Sequence, residues 1–518
     1  MMKGFFLFLF LLPSLLLGQF NMLNSIVSQQ TVSVGTQPPV DADTTQLKAF
    51  YTAYGGGAIA TGGRGRVLYI VNTLDFDAGY TYHEATASSD EYYTGGYKNA
   101  LELPDVGHIV FNVSGNIDIG VGGYIFRQVH NKSVYGQSAP QGGITLWGGS
   151  NRFQSYDNGI YNLIFRYMRS RPIRLRDGSI DASQDDAYTW SFLFRGGERI
   201  ILDHISGSFA SDKVIGGSTR EQHVSSPDCP CWLRNVTFQH GLYGDAGTSM
   251  YVTTNGGRAG DPERFIDKIS WLNNLTVSNN RTPNMAFDNQ GEIVNNVMHD
   301  TPHKNSRVYH LIKLNHINNY YQRTNDSYNW IDNNQEGEKH PSVFTNGNVY
   351  SGNVGGSSVN LTGNPVEDNK VIWVKADRVT PADAFYFTGT KHDLELDYPW
   401  IETTANDAFT RLVTNADVGA YKYLDNDGIV QEYRDSFDSQ MLNVVQNNLD
   451  YNSRVTSNWV LPNIPNNVRP ASYDTDNDGM SDAWEIREFG DLSQSYRGDY
   501  DGDGYDNIEE YMNLVDLD

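Results

Sequence analysis

The chain has 518 residues, a formal net charge of −24, 50 glycines, 32 tyrosines and two cysteines. That length allows one large domain with one or two small ones and a sizeable core, and abundant Gly, Tyr and Asn favour strands and turns over helices. The charge excludes a nucleic-acid binder, which needs a surplus of Lys and Arg, and the cysteine count excludes a scaffold built on disulfides.

In chain order, residues 1–18 (MMKGFFLFLFLLPSLLLG) join Lys3 to an apolar run and end on a small residue before Gln19, the layout of a secretory signal peptide. The run is shorter than the ~20 apolar residues of a spanning helix, and no later stretch is apolar enough to span. A secreted, extracellular protein without a membrane span is therefore expected, with a polar leader over 19–45. The glycines of AFYTAYGGGAIATGGRGRVLYIVNTL match neither a dinucleotide fingerprint nor a phosphate loop, and read as tight turns feeding a strand over 67–72. The Cys229-Pro230-Cys231 pair is a poor zinc site alone and a strained disulfide.

From His108 onward short branched segments recur, many roughly 20 to 25 residues apart, among them HIVFNVSGNIDI, GITLWGG, NLIFRYMRSRP, RIILDHISGS, RNVTFQHG and EIVNNVMHD. Each is too short to bury its own apolar face, so stacking in an array is the economical solution. Gly turns and Asn near strand ends favour a parallel β-helix, all-β in class, over a leucine-rich horseshoe, sandwich or propeller. This domain is expected over 46–400. Helical apolar spacing with a glycine break then predicts a helical extension and linker over 401–470.

The last segment, 471–518, carries the sharpest local motif. DTDNDGMSDAWE sets Asp474, Asp476, Asp478, Met480, Asp482 and Glu485 at positions 1, 3, 5, 7, 9 and 12 of an EF-hand-type loop. DYDGDGYDNIEE repeats the pattern with Asp499, Asp501, Asp503, Tyr505, Asn507 and Glu510. Alternate acids point inward, glycine permits the sharp turn, position 7 offers its carbonyl, and the final Glu binds through both oxygens. Ca²⁺ is the expected ion, and the pair resembles thrombospondin type 3 and dockerin-like repeats.

The blocks TAYGGGAIATGGRGRVLYIVNTL, IVFNVSGNIDI, VYGQSAPQGGITL, IFRYMRSRP, FRGGERIILDH, NNRTPN and INNYY resemble, in order, those of pectate lyase family 1 across residues 50 to 321. The resemblance implies a right-handed parallel β-helix and a calcium-dependent polysaccharide lyase, acting alone as a monomer on an acidic, uronate-containing polysaccharide such as pectate. In such a β-elimination the C5 proton leaves beside the carboxylate and the glycosidic oxygen departs from C4. Something must then stabilise the carbanion.

The family's base is an arginine, which the NNRTPN block maps to Arg281. Arginine normally stays protonated, so a milder role stabilises the carbanion while another group or water takes the proton. Asp203 corresponds to the family's first calcium aspartate and Asp212 matches a second. Lys213 stands where relatives carry Glu and replaces part of the ion's charge. Gly216-Gly217 occupy the region of a further expected acid, and Asn284 that of a second arginine. Within FRYMRSRPIRLR, Arg166, Arg169, Arg171, Arg174 and Arg176 offer a rail for a polyanion or ion pairs with nearby aspartates, and Arg174 and Arg176 join Lys213 as the substrate-binding candidates. The acid pair Asp185 and Asp186 keeps a β-helical glycoside hydrolase open, and the depleted calcium set keeps a carbohydrate-binding, adhesive β-helix open.

Overall fold

The computed structural model describes residues 47–154, 159–173, 190–219, 232–254, 265–323, 328–331, 340–351, 369–370, 372–375, 380–451 and 459–517. The described residues from 47 to 500 and from 504 to 517 belong to one compact unit. Residues 1–18, the polar leader, both cysteines and the Asp185-Asp186 pair lie outside the described residues.

Among the described residues, three ladders stack along the chain: a 12-stranded sheet, parallel except for the antiparallel edge pair Tyr80–His83 and Tyr92–Gly95, and two parallel 9-stranded sheets. One coil shows the logic. Gly197–Asp203 lies in the first sheet, Ser206–Ser208 in the second and Lys213–Thr219 in the third, after which Leu233–Gln239 returns to the first, in register with the strand where the coil began. This is a parallel β-helix. From residue 106 on, the strands of the first sheet begin at 106, 129, 160, 197, 233, 266, 289, 312 and 342. The expected short repeat therefore holds from 106 to 129 and from 266 to 312, while the other coils are longer.

The first corner is tight because the residue after each of six consecutive first-sheet strands, from Ile160–Arg166 to Ile312–Ile317, adopts a left-handed conformation. Tyr167, His204, His240, Asn273, Asn295 and Asn318 have φ between 50 and 56°, a region Asn tolerates better than most residues. One position later, Asn274, Asn296, Asn319 and Asn348 form a ladder: each accepts a backbone N–H from the coil before, at 2.8–3.0 Å. Their amides also donate to Phe238, Trp271, Ile293 and His316 carbonyls. Inward side chains build one apolar core with stacked aromatics, such as Phe153 against Phe126 at 5.2 Å and against Phe194 at 5.0 Å.

Two outer faces are covered by other parts of the chain. The extension lays Phe437, Met441, Leu442 and Val445 of helix Ser436–Gln446 over Leu242, Leu275 and Val297 of the second sheet. The carboxyl segment lays Met480, Trp484, Ile508 and Tyr511 over Leu68, Ile70, Val110 and Tyr135 of the first. A short turn, Gly56–Ile59, also lies on the first sheet, so close that a Cβ at Gly57 would come 2.2 Å from the Ile200 carbonyl oxygen.

Candidate active site

On the third sheet the outward positions are filled with charge and aromatic rings. Two rows run across its coils. Gly216, Tyr251, Asn284, Arg307 and Trp330 are successive register partners in one row. At the strand starts, Lys213 pairs with Thr248 and Arg281 with Lys304. The alternation of strand side chains puts Met250, Val252, Met285 and Val308 in the core and the rows on the outer face.

The rows bring four cations together on a chain that is acidic overall. Lys213 Nζ lies 5.0 Å from the ring centres of both Trp190 and Tyr251. The Arg307 guanidinium lies 4.6 Å from the Tyr309 ring centre, and Lys304 Nζ lies 3.5 Å from that of Trp330. These rings hold the cations in place, an attraction that gains strength where water is excluded. Arg281 stands among them with its Nε buried and without a hydrogen-bond partner. Burial lowers its proton affinity, and the like charge of Arg307 lowers it further, against the opposing pull of Tyr251 and Asp212. Asn284 is fully buried between Tyr251 and Arg307, and neither its Oδ1 nor its Nδ2 has a partner.

Of the residues expected at this site, Arg281, Asp212 and Lys213 are brought together: Asp212 forms an ion pair with Lys213 and acts on Arg281 electrostatically. Arg174 and Arg176 lie outside the described residues. Asp203 is not a cleft ligand. It ends a strand of the first sheet, fully buried, with Arg166 Nε at 2.9 Å, His204 Nδ1 at 3.0 Å and Gln239 Nε2 at 2.9 Å. Burial alone raises its pKa, but His204 and Arg166 outweigh that and hold it well below the usual carboxylate range.

The arginine rail is likewise internal where it is described. Arg166 pairs with Asp203 and Asp516. Arg171 meets Asp435 and Asp438, both at 2.8 Å, and Arg169 meets Asp435 at 3.3 Å. The two aspartates belong to the Arg-Asp-x-x-Asp stretch of the extension, where Asp435 also caps helix Ser436–Gln446. Burial opposes the charge of Asp435, and Arg171 with Arg169 overcomes it.

Sequence reasoning missed Trp190, Tyr251, Lys304, Arg307, Tyr309 and Trp330. Their only signal was alternation within short strands, KNSRVY for example, and that becomes informative only once the coil register is known.

In the first carboxyl loop, Asp474 accepts the N–H groups of Asp478 and Gly479 at 3.0 and 2.9 Å, and Asp478 accepts that of Met480 at 2.9 Å. Carboxylate oxygens of Asp476, Asp478 and Glu485 lie within 4.8 Å of one another, as do those of Asp474, Asp476 and Asp482. Both Glu485 oxygens, Asp476 Oδ1 and Asp478 Oδ2 are buried without a hydrogen-bond partner. Burial and neighbouring acids push Asp474 up to about 7, Asp476 to about 6 and Glu485 to about 9. In the second loop, Asp499 accepts the Gly504 N–H at 3.1 Å, the Tyr505 ring is buried against Tyr51, and Glu510 is buried. The Asn507 amide instead bonds Tyr500 and Ser495 within the same segment. Asp503 N–H donates to Asp501 at 3.0 Å.

No family model matches the chain. Over 258 residues it is 28% identical to a protein named probable pectate lyase C from Aspergillus oryzae, the match covering 50% of this chain and 49% of that one. Over 262 residues it is 26% identical to a protein of the same name from Emericella nidulans, covering 51% and 50%. The chain thus matches about half the length of these curated relatives. Among solved structures, a pectate lyase from Paenibacillus sp. 0602 superposes with a TM-score of 0.42 at 10% identity, covering 71% of this chain and 95% of that one. Over half its length, then, this chain is similar in sequence to proteins named as pectate lyases.

Proposed function

We propose that the chain is a secreted polysaccharide lyase that cleaves an acidic, uronate-containing polysaccharide such as pectate by β-elimination. The observation that carries this reading is Arg281. A guanidinium with an unpartnered buried Nε and a lowered proton affinity stands among Lys213, Lys304 and Arg307. The names of the relatives, which match about half of the chain, support it.

Lys213, Lys304 and Arg307 bind uronate carboxylates, and the fork of Arg307 suits two oxygens. Arg307 thereby supplies, from the next coil, the second guanidinium that Asn284 lacks. Tyr251 and Tyr309, which are only half-buried, offer ring faces to the sugars. Arg281 stabilises the C5 carbanion as charge develops. Its lowered proton affinity brings the neutral guanidine, which would accept the C5 proton itself, closer to reach.

The described residues at this cleft do not fit a calcium ion. Asp203 is committed to Arg166, His204 and Gln239, and Asp212 to Lys213. Gly216 has no room for an acid, since a Cβ there would lie 2.0 Å from the Tyr251 carbonyl oxygen. The first carboxyl loop does fit. Its unpartnered buried oxygens form a donor set for Ca²⁺, which would neutralise the mutual repulsion of Asp474, Asp476, Asp478 and Glu485 and stabilise the segment.

Incubation with polygalacturonate and other uronans, following ultraviolet absorbance of unsaturated ends alongside reducing ends, tests the activity. A lyase raises both signals together. Reducing ends without absorbance mean hydrolysis, and neither signal with retained binding means an adhesive protein. Arg281→Ala is expected to abolish cleavage with an unchanged fold, and near-wild-type turnover removes Arg281 from the reaction.

A further inference from the structure

Away from the cleft, two histidines one coil apart occupy the tight first corner. His204 and His240 have φ of 51 and 50° and stack at 4.8 Å, with Tyr167 stacked on His204 at 4.5 Å. Both rings are nearly buried, at 5% and 7% exposure. The extension passes over this corner, fixed by Gly419 N–H to the His240 carbonyl at 2.8 Å and Ala420 N–H to Ser206 Oγ at 2.9 Å. It thereby sets Asp417 against both imidazoles: Oδ1 lies 3.1 Å from His204 Nε2, and Oδ2 lies 3.3 Å from His240 Nδ1.

We propose that His204, His240 and Asp417 form a binding site for a divalent transition-metal ion of the zinc class, placed where the extension meets the β-helix. A tetrahedral ion about 2.0–2.1 Å from each ligand sets its ligands roughly 3.3 Å apart. The two separations to Asp417 lie near that value, and one ligand atom from each of the three residues falls within 4.8 Å of the others. The second nitrogen of His204 lies 3.0 Å from the Asp203 carboxylate, an ion-pair contact whose charge raises the basicity of the imidazole. Tyr421 Oη donates to Asp417 at 2.9 Å and fixes the carboxylate in the same way. Two imidazole nitrogens and one carboxylate select zinc, cobalt or nickel over calcium. Asp417 and Tyr421 also line a cavity of about 690 Å³ with Arg411 and Asn415, from which water or a small anion would supply the fourth ligand. This site is independent of the cleft and of the acidic carboxyl loops.

The test uses the full chain in excess calcium, so that the carboxyl loops are saturated. Titration with Zn²⁺ is expected to show one equivalent bound, and Co²⁺ to give the visible absorption of a four-coordinate N/O site. His240→Gln and Asp417→Asn each weaken binding about tenfold or more while the far-ultraviolet circular dichroism stays unchanged. X-ray absorption at the zinc edge of the wild-type protein reads two imidazoles directly, so the outcome stands even if a variant misfolds. Failure to bind either ion, equal binding by both folded variants, or an edge spectrum without imidazole overturns the proposal. A hydrogen-bonded ion pair is then all that joins His204 to Asp417.

Discussion

At the residue scale, the proton affinities of Arg281 and Arg307 are linked. Burial is the larger cause of the lowered affinity at Arg281, and the Arg307 charge is the second. Arg307→Ala removes that repulsion and lets the Arg281 pKa rise, so the alkaline limb of the pH–rate profile is expected to move to higher pH. Turnover falls by about tenfold or more as carboxylate binding is lost. Arg307→Lys keeps the charge, and with it the limb, but loses the fork. Measured pH–rate profiles of the two variants separate these effects.

A second titration belongs to the core. His316 is fully buried between Thr345 Oγ1 at 3.0 Å and the Tyr321 hydroxyl at 2.6 Å, and burial lowers its pKa to about 3. The unfolded chain takes up this proton near the ordinary histidine value, whereas the folded chain resists it. Stability is therefore full above the unfolded pKa and falls as pH drops from about 6.5 towards 3, by roughly 1.4 kcal/mol per unit from this residue. Urea midpoints measured across that range are expected to fall less steeply in His316→Gln than in the wild type.

At the element scale, the asparagine ladder and the buried Arg–Asp pairs hold neighbouring coils and the extension in place. Asn296 accepts from Asn274 N–H at 2.8 Å and donates to the Trp271 carbonyl at 2.9 Å. Asn296→Ala strands both groups inside the protein and is expected to cost roughly 2 to 4 kcal/mol, read as a lowered denaturant midpoint. The ladder was partly legible, because Asn recurs near strand ends in LNNL, VNNV and HINN. Coil length was not. Loops of variable length separate the second and third sheets from the return strand, and nothing in a short strand records how long they are. The partners of Arg169 and Arg171 were equally hidden, since Asp435 and Asp438 lie 264 and 267 residues from Arg171. A rail of exposed arginines and a set of buried ion pairs look the same in one dimension.

At the scale of the whole molecule, the carboxyl segment is packed against the first sheet and tied to it by Arg64–Glu509 at 2.7 Å and His108–Asp506 at 2.9 Å. Ca²⁺ in its first loop, as proposed, would stabilise the packed state by mass action, about 2.7 kcal/mol at a hundredfold excess over the dissociation constant. Calcium is expected to raise the melting temperature of the wild type and to have a much smaller effect on Glu485→Gln. Because the described cleft residues do not fit the ion, a chelator is expected to lower the melting temperature while leaving cleavage intact well below it. Loss of cleavage in chelator at a temperature where the fold persists places a calcium ion in the reaction.

The sequence alone determined the stacked short strands and the spacing of the acidic residues at the carboxyl end, and it singled out Arg281 as a candidate. These are local properties: residue spacing, turn residues and metal-ligand order survive without knowledge of distant neighbours. Only the tertiary structure decided which outer face of the β-helix carries the cationic rows, that Asp203 serves a buried ion-pair network, and that Arg307 stands beside Arg281. The physical reason is the two-residue period of a strand. A shift of one position sends a side chain from core to surface, and whether that surface is open depends on where segments hundreds of residues away come to rest.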